Sequence, residues 1–138
     1  MVWVKAFLAG VLSTLVFHQG LLAILHAVGA SPRAAYALNP TPPLGVPAVL
    51  SLAFWGGVWG ILLWLVIAGA QGPRYWLLAL VLGAIAPSAV ALLVVLPLKG
   101  QPVGGGWNFA VIVGALLLNG AWGIGVAAFM RLFHRSSG

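Results

Sequence analysis

From Val4 to Val28 the chain is almost continuously apolar, with its single cation, Lys5, at the very start. A helix rises 1.5 Å per residue, so one over this stretch is long enough to cross the ~30 Å hydrocarbon core of a bilayer. Three later runs read the same way, at about 46–70, 75–98 and 108–133. Four such runs leave too little polar sequence to clothe a water-soluble domain. Of 138 residues, six are Lys or Arg and none is Asp or Glu, which makes 4% charged against 63% hydrophobic. Soluble domains carry about 25% charged residues. The expected fold is all-α: one transmembrane domain over 1–138, an integral membrane four-helix bundle. The small residues Gly29-Ala30-Ser31 imitate a leader cleavage site, but the run before them is longer than a signal core and holds His18 and Gln19. It is therefore expected to stay as the first span.

The missing carboxylates and thiols also bound the chemistry. Without Asp, Glu or Cys there is no carboxyl general acid or base, no hard-cation site and no redox thiol. Only His18 or His26 could act as a base, and no nucleophile is paired with either in the sequence. The expectation is a protein that is not an enzyme and has no cofactor or metal. The formal charge of +6 lacks an internal counter-charge, so the expected partners are anionic lipids of the bilayer, which attract basic residues by about 1 kcal/mol each. The cations stand singly at loop ends, a poor pattern for nucleic acid.

The connections carry turn and breaker signals. Ser31 to Pro47 is a proline-rich loop, in which Ser31 as N-cap and Pro32 predict a short helix over Arg33–Leu38, stopped by Asn39. Pro40-Thr41-Pro42-Pro43 then imposes an extended path. Gln71-Gly72-Pro73-Arg74 is a tight loop, so segments two and three are expected to be antiparallel neighbours. Lys99 to Trp107 holds Gly104-Gly105-Gly106 and is expected to be loose, and His134 to Gly138 reads as a basic, polar tail. Segment two contains Gly56-Gly57-Val58-Trp59-Gly60, small residues one turn apart that let helix backbones approach. Pro87 should kink segment three, and Asn119 sits near the middle of segment four. Lys5, Arg74, Arg131 and Arg135 fall on the side of the termini, with only Arg33 and Lys99 opposite. That bias predicts cytoplasmic N- and C-termini.

Gly57-Val58-Trp59-Gly60-Ile61 matches Gly120-Ala121-Trp122-Gly123-Ile124, and Leu8-Ala9 with Val11-Leu12 loosely matches Leu78-Ala79 with Val81-Leu82. Two parallel two-helix repeats would give this pattern. So would chance in so biased a composition. The strings Val16-Phe17-His18-Gln19-Gly20, Gly45 to Gly57 and Pro97-Leu98-Lys99-Gly100 resemble those of an uncharacterised family of small four-span bacterial inner-membrane proteins. The resemblance covers most of the chain. It implies a bacterial inner-membrane address and brings no activity, ligand or catalytic residue.

Polar residues at membrane depth are where a site would lie. His18, Ser88 and Asn119 fall near or just outside the midplane when counted along their segments. Thr14 and His18 are i, i+4 neighbours, and Gln19 and His26 share a face, together making a polar sector of roughly 140° that should point into the bundle. Three readings compete. These groups hydrogen-bond between helices and nothing more; or His18, Gln19, Trp55, Trp59 and Asn119 line a pocket that binds or transports a small molecule or lipid; or His18 takes part in haem or quinone binding. As function classes these become a binding or transport protein and, alternatively, a structural or accessory subunit. The latter would pack on a larger membrane complex, or on a copy of itself, through the glycine faces of segments two and four. His18 is expected to reach Asn119 or the backbone freed by Pro87.

Overall fold

The computed structural model describes residues 1–42 and 44–136, so Pro43 of the proline-rich loop and the last two residues of the tail lie outside it. Among the described residues four helices are long and apolar enough to cross a membrane. They are α1 (Val2–Ala27), α2 (Ala48–Ile67), α3 (Pro73–Leu98) and α4 (Phe109–Ser136). The described part of the expected tail, residues 134–136, is the last turn of α4, where His134 and Arg135 stand at the negative end of the helix dipole. The chain is a multi-pass, all-α membrane bundle.

The ends follow local chemistry. Past α1, Gly29 takes φ 79°, and the N–H groups of Ala30 and Ser31 fold back onto the Leu25 carbonyl at 2.8 and 3.2 Å. Before α3, Gly72 takes φ 59° and Pro73 occupies the first turn, where its missing N–H costs nothing. Pro97 has no N–H to return toward Leu93, and the turn just before it, Ala91–Val95, widens to π geometry.

The helices lie in the order α2–α1–α4–α3: α1 packs along α2 and α4, and α4 along α3. α2 and α3 touch, as the tight loop requires, but each has a more extensive partner. Each close crossing is built from small residues. A methyl group on Gly60 would meet the Ala6 carbonyl oxygen at 2.6 Å and the Gly10 Cα at 2.9 Å. One on Gly123 would strike the Ala79 carbonyl and sit 3.0 Å from the Gly83 Cα. The two crossings are thus equivalent: Ala6, Gly10 and Gly60 in one hairpin correspond to Ala79, Gly83 and Gly123 in the other. This supports two parallel repeats, and it moves the α1/α3 alignment: Gly10 pairs with Gly83, three residues from the register that Leu8-Ala9 and Leu78-Ala79 suggest.

The α1–α4 seam joins the hairpins. Its tight point is Gly125, packed under Ser13 and the Phe17 ring, and Phe17 meets Phe129 edge-to-face at 5.9 Å. Toward the termini the core closes over Ala6, Leu63, Trp64, Ile67, Tyr75 and Met130.

The short helix predicted over Arg33–Leu38 does not form. Its backbone is engaged elsewhere. Tyr36 adopts φ 56° and gives its N–H to Gln19, while the carbonyls of Ala37 and Asn39 accept from Val49 and Ala48, both at 2.9 Å. α2 has no side-chain N-cap, so these loop carbonyls satisfy its first free N–H groups. Of the extended path expected over Pro40–Pro43, only Pro40–Thr41 is extended, as β1 of a small antiparallel ladder on β2 (Val46–Pro47); Pro42 already lies in the turn and Pro43 lies outside the described residues. The glycine loop expected to be loose is a turn over Val103–Trp107. There Gly104, Gly105 and Gly106 all take φ of 64–72°, a run that residues with a Cβ rarely adopt.

Candidate functional site

The polar side chains inside the bundle begin with a crowded carbonyl. The Gly10 oxygen accepts from the Thr14 hydroxyl at 2.8 Å and from the Trp122 indole at 3.2 Å, in addition to the Thr14 backbone N–H. Immediately beyond it, α1 widens into a π turn over Thr14–His18. Competing donors at a helix carbonyl are a recognised cause of such defects. The consequence is a shift of register. Ala6, Ala9, Gly10, Ser13 and Thr14 form a buried stripe at helical spacing, which a regular helix would continue at Phe17, with His18 beside it on the Thr14 edge. The π turn adds a residue, and Gln19, only 3% exposed, continues it instead.

His18 is therefore half-buried beside the stripe, not in it. Its Nδ1 lies 3.0 Å from the Gln19 amide nitrogen, which is consistent with a neutral acceptor nitrogen. The Gln19 oxygen accepts the Tyr36 N–H at 2.8 Å, and the Tyr36 hydroxyl donates to the Leu15 carbonyl at 2.7 Å, within the π turn. The loop between α1 and α2 is thus clasped onto α1 at the level of His18.

The other expected pocket residues are placed elsewhere. The Asn119 amide donates to the Ser88 hydroxyl at 2.9 Å across α3 and α4. The expected His18–Asn119 contact gives way to two separate pairs, because the π turn aims Gln19 inward and the loop takes up its amide. Trp55 is 57% exposed on the outer face of α2, stacked edge-on against Phe54. Trp59 is partly buried against the core near the crossing. His26, expected to share a buried face with Gln19, is exposed, with its Nδ1 2.9 Å from the Ser31 carbonyl. Of the five residues read as pocket-lining, the described polar contacts bring together only His18 and Gln19.

Sequence reasoning missed four contributors: Ser13, Tyr36, Tyr75 and Trp122. The Ser13 hydroxyl donates to the Trp122 carbonyl and the Tyr75 hydroxyl to the Ala127 carbonyl at 2.7 Å. A signal for Trp122 was available, since an indole N–H at mid-span has no water to bond and must find a protein acceptor. Among the described residues no buried side-chain nitrogen or oxygen lacks a partner, and no three His, Cys, Asp or Glu side chains gather as metal ligands.

The Ser88–Asn119 pair yields a prediction. Ser88→Ala leaves the Asn119 amide without its partner and should cost about 0.6 kcal/mol, the average for such bonds in membranes, and no more than about 1.7 kcal/mol. Adding Asn119→Leu removes the stranded group, so the double variant should recover most of the loss in thermal melts in detergent. Additive losses would show that the pair is not coupled.

Fold and site together define a multi-pass membrane protein of four spans, in which the described buried polar side chains are hydrogen-bonded, those around His18 to the loop between α1 and α2. Compared with protein-family models, with curated proteins and with solved structures, the chain matches none.

Proposed function

We propose that this chain is a bacterial inner-membrane protein, termini cytoplasmic, that binds or transports a small polar or amphiphilic molecule at the cluster of His18, Gln19 and Tyr36. The address draws on the cation bias and on the resemblance to small four-span inner-membrane proteins. The observation that carries the binding reading is the π turn over Thr14–His18, which ends on a half-buried ionisable side chain within a candidate span. π turns inside helices recur at functional sites, and ionisable side chains within spans are costly and mark functional sites by default. The reading has no catalytic step.

The accessory-subunit alternative relied on the glycine faces of α2 and α4. Gly57 and Gly60 lie against α1, and Gly120 and Gly123 against α3, so such a role would need a different surface.

His18→Gln separates the two uses of the residue. An amide replaces one donor and one acceptor, so the fold should melt as the wild type does. A small molecule carried by wild-type protein in native mass spectrometry should be absent from the variant. A variant that melts lower and loses nothing would make His18 structural. The topology has its own check: a C-terminal tag in intact spheroplasts should resist labelling from outside.

A further inference from the structure

At the end that carries both termini, α2, α3 and α4 part to leave an open cleft of about 440 Å³, with Trp64, Tyr75 and Met130 as its floor and Arg131, His134 and Arg135 at its rim. A second cleft, about 370 Å³, lies on the other side of Arg131, against Trp76 and Leu132. The geometry points to a binding site here for the phosphate of an anionic lipid headgroup, held by Arg131 and Arg135, with the proximal acyl chain on the aromatic floor.

The floor is buried and held by side-chain contacts. Tyr75 is 2% exposed, its hydroxyl tied to the Ala127 carbonyl, and Trp64 packs edge-on against both Tyr75, at 6.4 Å, and His134, at 5.4 Å. The Arg131 guanidinium carbon stands 4.3 Å over the Tyr75 ring. Arg131 also hydrogen-bonds the Tyr75 side chain, and because a guanidinium carries five N–H donors, others remain to bond a phosphate. Arg135, one turn on, adds a second cation to the same rim. No carboxylate side chain in the sequence can neutralise either, which favours an anion supplied by the bilayer. The cleft opens at the level where headgroups lie, and its aromatic floor suits a chain-bearing ligand better than a free ion.

The test uses the full chain in nanodiscs of phosphatidylcholine alone or mixed with phosphatidylglycerol, reading lipid retention by native mass spectrometry and melting temperature. Phosphatidylglycerol should be retained preferentially and should raise the melting temperature. Arg135→Gln, at an exposed position, should keep the fold and weaken that retention about tenfold, the scale of one charge-assisted contact. Arg131→Gln should do at least as much, and Arg33→Gln, at the opposite end, should leave it unchanged. Equal retention of both lipids overturns the proposal. So does an Arg33→Gln effect as large as that of Arg135→Gln, which would mean bulk charge only. Inorganic phosphate stabilising the protein in phosphatidylcholine as well as phosphatidylglycerol does would overturn the lipid as the source.

Discussion

Gly123→Leu should unfold the bundle or nearly so. The new side chain would start at the Ala79 carbonyl and 3.0 Å from the Gly83 Cα, against backbone that has nowhere to retreat. Overpacking of a well-packed core costs about 1–3 kcal/mol, and a collision with backbone belongs at or above the top of that range. In lipid the loss is compounded, because close packing is the main attraction between helices. Gly60→Leu should act alike, since Ala6 and Gly10 stand to Gly60 as Ala79 and Gly83 stand to Gly123. Gly114 supplies the control on the same helix: a Cβ there meets nothing within 4 Å. Gly114→Leu should change stability by no more than about 1 kcal/mol, in the favourable direction set by helix propensity. Thermal unfolding followed by circular dichroism in detergent reads all three. Wild-type melting of Gly123→Leu would mean that α3 and α4 do not cross there.

Trp122→Ala should also be strongly damaging, at about 3–5 kcal/mol. The indole is 3% exposed at the seam between the hairpins, and its N–H bonds the Gly10 carbonyl. Removing it opens a cavity where α4 meets α1 and leaves one acceptor less satisfied. Trp122→Phe keeps most of the volume and loses the hydrogen bond, so it should cost about 1 kcal/mol. Trp59 occupies the corresponding place in the first hairpin, yet it is only partly buried because no helix covers it as α1 covers Trp122. Trp59→Ala should therefore cost clearly less than Trp122→Ala. Equal losses would mean that the two hairpins are packed more symmetrically than α2–α1–α4–α3 allows.

The Thr14–His18 turn shows how a correct inventory of residues can still yield a wrong neighbourhood. Thr14 and His18 are four apart, and a regular helix stacks them. The competing donors at Gly10 come from Thr14 itself and from Trp122, a residue far along the chain. Nothing within α1 announces the second of these. The same holds for the Ser31–Pro47 loop, where helix signals around Ser31 and Pro32 lose to hydrogen bonds with Gln19, Ala48 and Val49.

By itself the amino-acid sequence determined the number of spans, their ends to within a few residues, the tight turn at Gly72-Pro73 and the presence of small-residue contact faces. These are sums of local properties: transfer free energy over about 20 residues, and backbone freedom at single glycines and prolines. Only the tertiary structure decided which glycine meets which, that Gln19 and not His18 enters the buried stripe, and that Trp55 is exposed while Trp122 is buried. In water, burial separates apolar from polar residues and can be read from their pattern. In a bilayer the surrounding tails are as apolar as leucine, so hydropathy does not distinguish a lipid-facing side chain from a core one, and the choice falls to pairwise shape and hydrogen bonding between residues distant in the chain.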